Sequence, residues 1–134
     1  MRAEVFRGAL GHLLNPWAHW DGVWYIKIAT SGYADGDGST AFFPLFPTLL
    51  RYVGLVFSGN LVITGIVISL VCYAGCVWLL YRLVRSDFDD EVASRAVVYL
   101  AIGPLSFFLQ AVYTESLFLV LTLACFVFAR EGHW

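Results

Sequence analysis

The sequence is poor in charge. Only 13% of its 134 residues are Asp, Glu, Lys or Arg, whereas 60% are hydrophobic. Ordinary soluble domains contain roughly 25% charged residues, and the mean hydropathy of this chain is +0.75. The composition therefore indicates a membrane protein. The formal net charge of −2 is too small to indicate a nucleic-acid partner.

Cysteine is also scarce. The three that occur, Cys72, Cys76 and Cys125, all lie in apolar runs. This placement predicts small buried side chains rather than a disulfide framework. The three histidines lack the spacing of a metal site, and nothing in the pattern calls for a cofactor or a metal ion.

One stretch is long enough and apolar enough to cross a membrane. Residues 61–81 carry no charge, and at about 1.5 Å per residue they would cover roughly 30 Å, one hydrocarbon thickness. Arg82 and Arg85 follow directly, and Arg95 comes soon after. Because basic residues favour the cytoplasmic side, we predict a transmembrane helix followed by a cytoplasmic link at 82–95.

The remainder of the chain, 96–129, is apolar but too long for one helix. A Gly-Pro pair at 103–104 and the polar turn YTES at 113–116 divide it. We expect a helical hairpin with arms at 96–112 and 117–129.

Taken together, these patterns predict an all-α, polytopic helical membrane protein with a single membrane domain over 1–134. Residues 17–60 precede the uncharged helix and are expected to form an extracytoplasmic or interfacial loop. Pro44 and Pro47 predict a broken helical segment within that loop. Counting across the uncharged helix places the turn at 113–116 on the same side of the membrane.

The stretch 20–47 is the most polar part of the chain and is crowded with aromatic residues. On a helix, one acid, one aromatic and two small residues would share a face: Asp21, Tyr25, Ala29 and Gly32. A neighbouring apolar stripe would consist of Trp17, Trp20, Trp24 and Ile28. This arrangement indicates the wall of a site at a membrane surface, although the tryptophans also suit an aromatic belt.

The acids have simpler interpretations too. Asp21 could be an acid favoured by the dipole at a helix N-terminus, but an interfacial acid is equally a candidate for a functional group. Glu115 lies between Thr114 and Ser116, which is typical of a helix cap.

A series of short motifs occurs here in one order: W-D at 20–21, Tyr25, A-x-x-G-Y at 29–33, A-F-F-P-L-F-P at 41–47, P-x-S-F at 104–107 and Y-T-E-S-L-F at 113–118. Over roughly 17–134, this ordered set resembles the phosphatidylinositol-glycan class V (PIG-V) mannosyltransferases, including their bacterial relatives. The resemblance implies the C-type glycosyltransferase fold, with a polyprenyl-phosphate or dolichyl-phosphate mannose donor and a glycolipid or glycan acceptor in a membrane.

The resemblance also implies roles for particular residues. The catalytic Asp of the first extracytoplasmic loop would be Asp21, acting as general base on the acceptor hydroxyl. The substrate-binding residues would be Trp20, Tyr25, Lys27, Tyr33, Tyr113 and Glu115. The site would face outward from a bacterial cell membrane, or lie in the endoplasmic reticulum membrane of a eukaryote. Since such enzymes are several times longer and have a helix before the W-D motif, the chain is expected to be an amino-terminal fragment.

Two other classes stay open on the sequence. A small non-catalytic membrane protein could keep these motifs as an interaction module, and the proline-broken helices are compatible with a transporter segment.

Overall fold

The computed structural model describes residues 19–132. This part of the chain is all-helical, without a strand, as the sequence predicts. It contains five α-helices and one short 3-10 turn: α1 (Asp21–Ser31), the turn Ser39–Ala41, α2 (Leu45–Val53), α3 (Leu61–Asp87), α4 (Asp90–Ile102) and α5 (Glu115–Arg130).

The described residues divide into two compact units. Unit 1 contains residues 19–68 and 111–113, and unit 2 contains residues 69–110 and 114–132.

The helix predicted over the W-D motif is present as α1. It begins at Asp21, whose carboxylate lies in the first turn, where the helix dipole favours negative charge. It ends at Ser31. The next residue, Gly32, has a φ of 79° and a ψ of −171°, and it donates its backbone N–H to the Ile28 carbonyl at 2.9 Å. Its positive φ strains residues that carry a side chain, but glycine adopts it without strain.

Residues 32–44, between α1 and α2, are called the polar loop below. The segment after this loop forms α2, a helix of nine residues. Pro44 precedes it and Pro47 lies in its first turn, where a missing N–H costs nothing. Phe46 and Leu50 are buried, whereas Arg51 is exposed. A helix this short cannot cross a bilayer, since a span needs about 20 residues.

The uncharged run forms α3, which has 27 residues. Asn60 caps it by accepting a hydrogen bond from the Ile63 N–H at 3.1 Å. The helix continues past Tyr81 to Asp87. Among residues 19–132 it is the one helix whose length and composition suit a membrane crossing.

The link expected at 82–95 is largely helical, because Phe88 and Asp89 alone separate α3 from α4. Asp89 caps α4 by accepting from the Val92 N–H at 2.8 Å.

The expected first hairpin arm also differs from the structure, since α4 ends at Ile102 and residues 103–114 form turns. The proline at 104 explains this end, because the residue before a proline avoids helical geometry. With 13 residues in α4 and 16 in α5, both helices are shorter than a full span.

Unit 2 is held together by apolar packing. Its buried cluster consists of Cys76, Leu79, Leu123 and Val127. A Cβ placed on Gly75 would lie 2.8 Å from Cγ2 of Val120, so α3 and α5 approach as closely as a glycine permits. The three cysteines are free thiols; Cys76 is buried as predicted, whereas Cys125 is exposed.

Arginines and acids pair at the helix ends of unit 2. Arg85 Nε lies 2.8 Å from Asp90 Oδ1. Arg130 Nη2 donates to Asp87 Oδ2 at 2.7 Å. Two further pairs are Arg82 with Glu131 and Arg95 with Glu91. These pairs are largely exposed, so each contributes little to the stability of the fold on its own.

Candidate functional site

Asp21 lies at the exposed start of α1. Its carboxylate has no hydrogen-bond or ion-pair partner in the part of the chain described. Tyr25 and Ala29, which share its helical face, are buried at 6% and 5% exposure. The face is therefore mostly a packing surface within unit 1, and its polar end alone is open to a substrate.

The aromatic residues around α1 pack against the A-F-F-P-L-F-P motif. The rings of Trp24 and Phe42 stack with centroids 5.6 Å apart. Tyr25 makes edge contacts to Phe42 at 5.3 Å and to Phe46 at 5.1 Å. Such pairs contribute about 0.5–1.5 kcal/mol beyond their buried area. The motif thus fastens the polar loop onto the helix that carries Asp21.

Lys27 is engaged within the protein. Its Nζ lies 2.8 Å from Asp37 Oδ2 and 4.7 Å from the centroid of the Trp24 ring. Asp37 Oδ1 also accepts the Ser39 N–H at 2.8 Å. The hydrogen bond from Lys27, followed by those from Ser39, holds the pKa of the Asp37 carboxyl well below its usual range.

Ser39 completes this loop. It is fully buried, and its Oγ accepts from the Ala34 N–H at 3.0 Å and donates to the Ala34 carbonyl at 3.2 Å. Asp37 and Ser39 therefore order the loop, a role that was not predicted from the sequence. The signal was present in the D-x-S spacing, since an Asp side chain often bonds the backbone two residues on.

Two aromatic side chains of the predicted site remain accessible. Trp20 is 70% exposed and Tyr33 is 44% exposed. The Tyr33 hydroxyl donates to the Phe42 carbonyl at 2.9 Å. Both rings can therefore offer an apolar face to a ligand beside the loop.

The backbone that presents Asp21 forms a tight turn. The Gly22 N–H donates to the His19 carbonyl at 3.0 Å. Tyr113, which is 3% exposed, donates its hydroxyl to the same carbonyl at 2.8 Å. Trp20, inside the turn, has a φ of 49° and a ψ of −114°.

Unit 1 therefore brings together six of the predicted site residues: Trp20, Asp21, Tyr25, Lys27, Tyr33 and Tyr113. The tryptophan at 17 lies outside the described residues.

Glu115 belongs to unit 2. It is exposed at the first position of α5, and Thr114 supplies no side-chain cap there. It borders a mainly apolar cavity of about 620 Å³ whose wall includes Tyr99, Leu105 and Phe108. Glu115 can thus contribute a polar group at the edge of an apolar cavity.

Within residues 19–132, no three His, Cys, Asp or Glu side chains are grouped as a metal site would require.

Comparison with known proteins identifies the family. A family described as Mannosyltransferase (PIG-V) matches residues 3–133. GPI mannosyltransferase 2 of Drosophila melanogaster is 27% identical over 125 residues, covering 86% of this chain and 27% of the fly protein. A GPI mannosyltransferase of Caenorhabditis elegans is 31% identical over 128 residues, covering 84% of this chain and 19% of the worm protein.

The chain thus spans about a quarter or less of the length of these relatives. No solved structure matches it. Because the family match extends over nearly the whole sequence, the chain belongs to the PIG-V mannosyltransferase family.

Proposed function

We infer that this chain carries the catalytic base of a membrane mannosyltransferase. The observation that supports this most directly is Asp21, an exposed carboxylate beside the accessible ring of Trp20, at the position that the family motif predicts for the base. The donor is a polyprenyl-phosphate mannose, dolichyl-phosphate mannose in a eukaryote, and the acceptor is a hydroxyl of a glycolipid or related glycan. Both substrates reach the site from the membrane.

The chemistry needs one base. Asp21 takes the proton from the acceptor hydroxyl while the acceptor oxygen forms a bond to the mannose C1 carbon. The bond from C1 to the donor phosphate oxygen breaks, and the lipid phosphate leaves with that electron pair. The leaving group is already activated, so a second acid is unnecessary. Trp20 and Tyr33 offer their rings to the sugar.

The lipid phosphate requires positive charge nearby. Lys27 can supply it if its ammonium group exchanges Asp37 for the phosphate, since the present ion pair is partly exposed. Arg51 is a second source, because it is exposed on α2 and makes no ion pair within the described residues. Either cation would lie in the unit that holds Asp21.

The orientation in the membrane follows from α3. If α3 crosses the bilayer with Arg82 and Arg85 on the cytoplasmic side, the residues before Leu61 are extracytoplasmic. The hydrogen bond from Tyr113 to His19 supports the same side for residue 113. The polytopic arrangement then requires the shorter helices α4 and α5 to enter the membrane as a hairpin.

Transfer of labelled mannose tests the function. The purified chain in liposomes is given a labelled polyprenyl-phosphate mannose and membrane glycolipids as acceptors. Asp21→Asn keeps shape and polarity but removes the base, and we expect a loss of about a hundredfold to ten-thousandfold in rate. Asp35→Asn, an exposed aspartate in the same unit, is the matched control and should retain the rate.

Glu115→Gln separates the two predicted carboxylates. If Glu115 binds substrate and does not act as the base, Glu115→Gln should lower the transfer rate clearly less than Asp21→Asn does. If Asp21→Asn retains turnover while Glu115→Gln abolishes it, the base has been assigned to the wrong carboxylate. A non-catalytic interaction module would show no transfer by the unaltered chain.

A further inference from the structure

The turn that presents Asp21 has a strained backbone. Its first hydrogen bond, from the Gly22 N–H to the His19 carbonyl, closes a four-residue turn at 3.0 Å. The dihedral angles of Trp20, 49° and −114°, are close to those of the first central residue in a type II′ turn, about +60° and −120°. That position is normally occupied by glycine. A tryptophan persists there only if the surrounding structure holds it.

Tyr113 contacts this turn through a hydrogen bond. Its hydroxyl donates to the same His19 carbonyl at 2.8 Å, across 94 residues of sequence. The side chain is buried at 3% exposure, and Ala111 and Val112 beside it are fully buried. All of these residues lie in unit 1.

The chain around Tyr113 has little room to move. A Cβ on Gly65 would lie 2.6 Å from Cγ1 of Val112 and 3.2 Å from a methyl group of Leu50. The glycine therefore allows Val112 to pack directly on α3. This packing fixes the segment from which the Tyr113 hydroxyl reaches the turn.

We propose that Tyr113 is a positioning residue for Asp21: its buried hydroxyl fixes the His19 carbonyl, and so holds the strained Trp20 turn in the geometry that presents the carboxylate. The inference rests on the proposed function. Since its ring is buried, Tyr113 acts through the turn and makes no contact with substrate. The Y-T-E-S-L-F motif, which begins at Tyr113, thereby supports the W-D motif through the hydrogen bond from Tyr113 to His19.

The test compares Tyr113→Phe with Tyr52→Phe. Both changes remove one hydroxyl, but Tyr52 is an exposed residue of α2 whose hydroxyl makes no hydrogen bond within residues 19–132. We expect Tyr113→Phe to lower kcat about tenfold to a hundredfold, because small misplacements of a catalytic group have costs of this order. The KM for the donor should be unchanged. Tyr52→Phe should leave both constants unchanged.

Hydrogen exchange on the same variants reports the turn independently of activity. In Tyr113→Phe the amides of Gly22 and Val23 should exchange at least several-fold faster, while those of α2 keep their wild-type rates. Faster exchange throughout α1 and α2 would show a general loss of structure and overturn the positioning role.

The kinetic outcomes distinguish the two proposals. An active wild type whose Tyr113→Phe variant keeps its kcat overturns the positioning role alone. A raised KM with unchanged kcat would also overturn it, because it indicates direct contact with substrate. The remaining outcome is a wild type that transfers no mannose although Tyr113→Phe still speeds exchange of the Gly22 amide. In that case the proposed function fails, and the turn has no catalytic role.

Discussion

Both units have buried apolar residues, but they differ in how polar groups supplement that packing. In unit 1, individual polar groups fix the loop around α1, as shown by Lys27 with Asp37 and by the two bonds of Ser39 to Ala34. In unit 2, the helices pack through apolar side chains around Cys76, and most of the ion pairs among its described residues lie near helix ends. Unit 1 therefore adds directional polar contacts around α1 to its apolar packing, whereas unit 2 relies mainly on apolar packing between helices.

This difference matches the roles proposed for the two parts. A catalytic carboxylate needs fixed orientation, which directional hydrogen bonds provide at a chosen point. Apolar packing lacks such direction, but in a bilayer it lets helices approach closely where small residues line the interface. We therefore expect substitutions in unit 2 to act on stability, and substitutions of single polar groups in unit 1 to act locally.

The largest effect on stability should come from filling the contact between α3 and α5. In Gly75→Val, new methyl groups would extend from a Cβ that already lies 2.8 Å from Val120. Overpacking of this kind costs about 1–3 kcal/mol. Unfolding of the purified protein in detergent measures the loss. Ala74→Val, at the exposed neighbouring position, is the control and should change stability little; equal losses in both variants would show that the contact is not tight.

Composition and periodicity predict much of this fold. The uncharged α3 follows from an apolar run long enough to span a bilayer, and α1 follows from helical spacing of the residues around the W-D motif. The boundaries of the helices are harder to predict from the sequence, because they depend on single capping groups. Asp89 starts α4 inside the expected cytoplasmic link, and Gly103-Pro104 ends it well before 112.

The candidate site is harder to predict because its contacts are specific to one loop geometry. Lys27 and Asp37 are ten residues apart, and Tyr113 and His19 are 94 apart. Neither separation corresponds to a helical or strand repeat. The family resemblance predicts that Asp21 and Tyr113 belong to one site, but the buried Tyr113 hydroxyl bonded to the turn before Asp21 is visible only in the structure.

A smaller effect should come from the strained backbone of Trp20 in unit 1. Trp20→Gly and Trp20→Ala both remove the exposed indole, but glycine alone adopts a φ of 49° without strain. We expect the glycine variant to be more stable than the alanine variant by about 1 kcal/mol. At Thr30, an exposed helical position of α1, the same pair should give the opposite order, since glycine weakens a helix by about 1 kcal/mol relative to alanine.

Thermal unfolding of the four variants measures both differences. The same order at both positions would contradict the strained turn, because it would mean that residue 20 has no preference for glycine.

The smallest effect should be the response of the polar loop to acid. The pKa of Asp37 in the folded protein lies below its ordinary value near 3.8, chiefly because the ionised carboxylate accepts a hydrogen bond from Lys27. A lowered folded pKa stabilises the loop above the ordinary value, and this contribution is lost as the pH falls through the lowered pKa. The backbone amide signal of Ser39, which donates to Asp37 Oδ1, should therefore stay constant from neutral pH to about pH 4 and move only at lower pH. Asp37→Asn should abolish that movement, whereas Asp35→Asn, in the same loop, should preserve it. A Ser39 signal that titrates at the ordinary value in the unaltered chain would mean that Lys27 does not hold Asp37, and would leave the lysine available to a phosphate without any exchange of partners.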